Sequence, residues 1–163
     1  MHGARTLARE DRSAAALYVP AVLAALLAAI AGGVAWGLIV RTWNYELGFA
    51  AWGIGLLTGL AVLAATRGAR GWPLQAIAVV CALLGILLGK YLAFIWVLQE
   101  GPDGLHISVF SSDAVDIFRN NLDLVFDWID LVWVGFAVYS AWRTLRPEEP
   151  KPVRQTETGP PAA

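Results

Sequence analysis

The chain is poor in the residues on which most catalytic and metal chemistry draws. Of its 163 residues one is cysteine and two are histidine. Cys81 has no second thiol for a disulfide and no soft co-ligand for zinc, so redox and zinc chemistry are excluded. His106 has no histidine four residues away and His2 stands beside Met1, so neither reads as a metal ligand. There is no Gly-x-Ser-x-Gly, no His-Glu-x-x-His, no phosphate-cradling glycine loop followed by Lys-Ser/Thr, and no Cys-x-x-Cys. No enzymatic activity, no cofactor and no metal are therefore expected. Charge is scarce as well: 15% of residues are Asp, Glu, Lys or Arg, against roughly 25% in an ordinary soluble domain. The net charge of −1, with no basic cluster interleaved with aromatics, argues against nucleic acid as a partner.

Apolar residues fill the gap. They make up 58% of the chain, more than the roughly 45–50% of a soluble domain, and they are concentrated. The runs Leu17 to Val40, Leu47 to Thr66 and Pro73 to Gly89 contain no Asp, Glu, Lys or Arg. Each is close to or beyond the ~20 residues that cross a hydrocarbon core as helix. The expected fold is all-α, a polytopic membrane bundle of four transmembrane helices over residues 18–40, 47–66, 73–98 and 122–142. A basic N-terminal tail, residues 1–17, and a disordered tail, residues 143–163, flank the membrane domain, residues 18–142. A signal peptide is the rival reading of the first run, since Ala29-Ile30-Ala31 resembles a cleavage site, but the run exceeds the roughly 7–15 residues of a signal core.

The stretch before the fourth span has a different grammar. Gly-Pro-Asp-Gly at 101–104 is a turn signal, and the alternation from Leu105 to Phe110 predicts a short extended segment. From Ser111 the period becomes helical. Asp113, Asp116, Asn120, Asp123, Asp127 and Asp130 recur at steps of three and four, which puts them on one stripe of a single long helix. That amphipathic outer helix is expected to extend the fourth span. A metal reading of the stripe fails because one helix face lacks converging ligands from other elements.

Nine of the twelve Lys and Arg residues fall in the N-tail, the loop Arg67 to Gly71 and the C-tail. The positive-inside rule makes these cytoplasmic, giving a multi-pass protein with both ends inside and the acidic third connection outside. Trp43, Trp96 and Trp128 fall near the outer boundary and Trp72 and Trp142 near the inner one, as for rings anchored at headgroup level. Trp36, Trp52 and Trp133 lie deeper, where core packing is the expected role and lining a site the alternative.

Two sets of residues are candidates for more than lipid contact. Gly33 and Gly37, Gly55 and Gly59, and Gly85 and Gly89 form small-xxx-small pairs on three spans, suited to close helix packing within the chain or between copies. The second set is charged. At roughly 1.5 Å per residue, Lys90 rises about 26 Å from Pro73, while Asp130 and Asp127 rise about 20 and 24 Å from Arg143. Glu46 reaches the same layer, about 31 Å above Arg67. An isolated charge near a helix centre costs roughly 2.5–3.5 kcal/mol and less toward the interface. An outer-leaflet polar cluster of Glu46, Lys90, Asp127 and Asp130, with Tyr45 and Tyr91 nearby, is therefore expected.

Segments 42–48 (TWNYELG), 52–55 (WGIG), 88–91 (LGKY) and 129–135 (IDLVWVG), with Tyr139 to Arg143, resemble bacterial four-span membrane proteins of a domain-of-unknown-function type. The resemblance implies a bacterial inner membrane location and the same polar positions, Glu46, Lys90 and Asp130, and brings no activity with it. The expected role is that of a structural or interaction component of a membrane assembly. Its partners would be the lipid bilayer and a second copy or a larger membrane complex. The alternative is a small oligomeric transporter or channel with a Lys/Asp/Glu charge relay.

Overall fold

The computed structural model describes residues 2–43, 49–100 and 107–147, with side chains from residue 16 onward. The protein is all-α: six helices and no strand occur among the described residues. They are α1 His2–Trp43, α2 Phe49–Ala65, α3 Trp72–Glu100, α4 Ser112–Asn120, α5 Leu122–Val125 and α6 Trp128–Thr144. Helix α1 is unbroken from His2, so the segment expected as an N-terminal tail is helical backbone. Its run of Ala, Leu and Arg has high helix propensity, which is enough to carry the helix through it.

Two of these helices, Ala16–Trp43 of α1 and Trp72–Glu100, are long and apolar enough to cross a bilayer. Helix α2 is apolar over 17 residues, about 25 Å of rise, and α6 has the same length.

Helices α1, α2, α3 and α6 form an up-down-up-down bundle. Helix α1 packs mainly on α3 and α2, while α6 packs on α2 and α3. Arg41 and Glu100 join the C-terminal ends of α1 and α3 in an ion pair of 2.6 Å. At the opposite end the Gly71 N–H donates to the Leu145 carbonyl at 3.2 Å, tying the start of α3 to the end of α6. Gln75, 3% exposed, donates Nε2 to the Trp142 carbonyl in the last turn of α6, which also accepts the Leu145 N–H. Helix α2 closes in a Schellman arrangement: Gly68 N–H to Leu63 O at 2.8 Å and Arg67 N–H to Ala64 O at 3.2 Å. Arg67 takes the left-handed position, φ 55°, that glycine usually fills.

Alanines pack in the interior beside large residues such as Trp36, Ile54, Leu74, Ile86 and Ile95, while other large apolar side chains face outward. Ala21, Ala25, Ala29, Ala78, Ala82, Ala137 and Ala141 are buried, whereas Leu27, Ile30, Leu60, Leu84 and Leu131 are exposed. Small residues let helix axes approach, and five of the six sequence-selected glycines lie directly against a neighbouring helix's backbone. A Cβ at Gly33 would stand 2.6 Å from the Gly85 carbonyl, and one at Gly85 would stand 2.8 Å from the Ala29 carbonyl. At Gly55 it would collide with the Ala137 backbone, while Gly89 faces Gly33 and Trp36, and Gly59 faces Ala141 and Thr144. Gly37 meets the side chains of Leu92 and Trp96. All six glycines therefore serve packing inside one chain.

The segment before α6 departs from the single long helix expected from its periodicity. It is three pieces, interrupted at Asn121 and again at Phe126 and Asp127. The last long helix, expected over 122–142, starts at Trp128 instead. The stripe of Asp113 to Asp130 is accordingly not one continuous helix face. The physical reason lies at Asp127, whose extended backbone (φ −103°, ψ 161°) makes it the N-cap of a new helix. Residues 107–110 form a turn rather than an extended strand, and 101–106, with the Gly-Pro-Asp-Gly signal, lie outside the described residues. The C-terminal stretch from 148 also lies outside them.

Candidate functional site

The site begins with a charge that the sequence places inside an apolar helix. Lys90 lies on α3 and is 2% exposed. Its Nζ donates to Asp130 Oδ2 at 2.8 Å and to the Val125 carbonyl at 3.0 Å. Each acceptor arises from the break in the chain ahead of α6. Val125 ends α5, so its carbonyl has no helical N–H to receive, and a cation is the favoured partner at a helix C-terminus. Asp130 is the third residue of α6, and its Oδ2 also accepts the Asp127 N–H at 2.9 Å. Asp127 completes a reciprocal capping box: its own carboxylate accepts from Trp128 N at 2.7 Å and from the backbone N–H of Asp130.

One carboxylate oxygen therefore joins α3 to the start of α6, and one ammonium joins α3 to both sides of the break. Aromatic rings close the pocket around the charge. The Trp36 and Phe126 rings lie 5.9 Å and 5.7 Å from Nζ, within the range of cation–π attraction. Trp36 is 2% exposed and its Nε1 has no hydrogen-bond partner among the described residues. The buried Lys90–Asp130 ion pair is a constellation suited to holding helices in register.

Of the four sequence-selected polar residues, the structure brings Lys90 and Asp130 into contact. Asp127 stands at the same break, but its exposed carboxylate is spent on the helix cap instead of on Lys90. Stereochemistry explains the difference, since an N-cap side chain is turned back toward the first-turn N–H groups. Glu46 and Tyr45 lie outside the described residues. Tyr91 donates its hydroxyl to the Val109 carbonyl, and Gln99 donates Nε2 to the Ile107 carbonyl at 2.6 Å. These two bonds pin residues 107–109 onto α3. Phe118 then anchors α4, its ring 5.2 Å from that of Tyr91 and 6.0 Å from that of Phe94.

Val125 and Phe126 were not singled out from sequence. The Asp-x-x-Asp spacing of 127 and 130 was the available signal, because it matches a capping box and so marks a helix start. Trp36 sits half-buried in neither sense: it is wholly interior, whereas Trp52 is 45% exposed. No group of three His, Cys, Asp or Glu side chains suited to a metal ion occurs among the described residues.

No family model, curated protein or solved structure matches the chain.

Proposed function

We propose that this chain is a four-span integral membrane protein of the bacterial inner membrane, with both ends in the cytoplasm, that acts as a non-catalytic structural or interaction component of a membrane assembly. The membrane part of the reading is supported by the apolar outer surface of the helices. Leucine, isoleucine or valine side chains are exposed on all four long helices, an arrangement that water would oppose and lipid accommodates. Exposed Trp43 and Trp128 lie at one end of the bundle, and exposed Trp72 and Trp142 at the other, consistent with two interfacial belts. Arg67, Arg70, Arg143 and Arg146 share the second end. Glu100, Asp113, Asp116 and Asp123 belong to the first.

The observation that carries the structural role is the enclosure of Lys90. Its ammonium is bound to a carboxylate and a helix-terminal carbonyl that together close the α5–α6 break. Charge carried by a group so engaged is better used to fix a fold than to move. With the glycines committed to packing within the chain, a partner is best sought at the outer acidic surface of α4.

The experiment pairs folding with flux. Lys90→Met should lose folded protein in detergent, and Lys90→Met combined with Asp130→Leu should regain it, while wild-type liposomes carry no ion current. The rival reading, a small transporter, is favoured by one feature, a buried ionisable pair at an interrupted helix. Proton or ion flux abolished by a well-folded Lys90→Met or Asp130→Asn variant would establish that rival.

A further inference from the structure

Helix α4 has a use that the bundle itself does not require. It crosses the outer part of α3, and between them lies an open-sided apolar groove of about 400 Å³ lined by Leu84, Leu87, Tyr91, Val115 and Phe118, with Arg119 at its rim. A second apolar groove, of about 390 Å³ between α1 and α3, includes Ala76, Ile77 and Leu84. The two share Leu84, and their linings together follow α3 as an apolar furrow. From Ala76 to Tyr91 it extends about 22 Å at helical rise, longer than one leaflet of a hydrocarbon core about 30 Å thick.

The charge at the mouth has an order. At 100° per residue, Phe118, Val115, Arg119 and Asp116 follow one another around α4 at steps of roughly 60°, 40° and 60°. Moving away from the furrow, the surface therefore passes from apolar to cationic to anionic. Arg119 and Asp116 are both exposed, and neither has a hydrogen bond or ion pair among the described residues, although three residues apart on a helix is close enough for one. Both are free to face a ligand. Asp113, on the far side of Asp116 from Arg119 around α4, adds negative charge, which opposes an anionic headgroup.

We infer that this furrow is a binding site for a zwitterionic phospholipid of the outer leaflet. One acyl chain lies along α3, the phosphate sits on Arg119, and the primary ammonium of an ethanolamine headgroup sits against Asp116. The inference rests on the membrane reading above.

The test uses the full chain, purified in mild detergent, stripped of lipid, and titrated with phosphatidylethanolamine and phosphatidylglycerol while bound lipid is counted by native mass spectrometry. Wild type should retain phosphatidylethanolamine over phosphatidylglycerol by roughly fivefold, the effect of one or two exposed charge contacts. Arg119→Gln should lower retention of both lipids, and Asp116→Asn should bring the two to parity. Leu84→Trp, which fills the furrow from an exposed position, should remove bound lipid altogether. Equal or preferential retention of phosphatidylglycerol by wild type would overturn the assignment, as would an Arg119→Gln protein that binds like wild type. A membrane-resident protein that retains no lipid defeats this inference alone, whereas recovery of the chain from the aqueous fraction defeats the membrane reading with it.

Discussion

Lys90 and Asp130, forty residues apart in sequence, meet at 2.8 Å in the interior of the bundle. The contact joins the third long helix to the first turn of the last one, and it is made where the chain leaves one helix at Val125 and starts another at Trp128. A buried pair of this kind contributes less through mutual attraction than through what its loss leaves behind. Removing one partner strands the other charge in an apolar setting, whereas removing both leaves a gap that apolar side chains can fill.

The first prediction follows from that asymmetry. Lys90→Met and Asp130→Asn should each destabilise the detergent-solubilised protein by about 3 kcal/mol, and Lys90→Met with Asp130→Leu should recover most of the loss. Unfolding followed by circular dichroism in increasing SDS measures it. A double variant as unstable as either single one would mean that the pair is not the source of the effect.

The glycines separate into two kinds. Gly55→Ala and Gly33→Ala bring a methyl group against backbone, at Ala137 and Gly85 respectively, and strain or helix displacement of about 1–3 kcal/mol is expected. Gly53→Ala and Gly135→Ala meet nothing within 4 Å. They should instead stabilise their helices by up to about 1 kcal/mol, the propensity difference. Thermal unfolding of the four variants side by side reads the contrast.

Asp127→Ala removes the carboxylate that caps α6 and leaves Lys90 with its partner. A loss of about 1 kcal/mol is expected, distinctly smaller than that of Asp130→Asn. Asp127→Ser, which keeps an oxygen at the cap, should restore most of it. Equal losses for Asp127→Ala and Asp130→Asn would contradict the division of labour between the two carboxylates.

Much of this arrangement could be read from the chain before any coordinates. The all-α class follows from uninterrupted apolar runs, and the expected span at 73–98 differs from α3, Trp72–Glu100, by two residues at most. Helical rise alone put Lys90 and Asp130 within a few ångströms of one depth. The interruption at Phe126 and Asp127 was harder to see, because aspartate at three- and four-residue steps satisfies helical period across the break as well as within it. Capping chemistry outweighs period there: Asp127 and Asp130 satisfy each other's backbone and start a new helix. The role of Val125 was not legible for a different reason. A backbone carbonyl becomes a ligand for Lys90 only because the helix stops at that residue.

The account depends most on the bilayer lying between the arginine end of the bundle and the end that carries α4. Single cysteines introduced at Arg67, Arg146, Asp113 and Leu57 in a Cys81→Ala background, labelled with a membrane-impermeant maleimide in sealed inverted and right-side-out vesicles, test it directly. Positions 67 and 146 should label only from the cytoplasmic face, position 113 only from the opposite face, and position 57 from neither. Labelling of 67 and 113 from the same face would contradict the account.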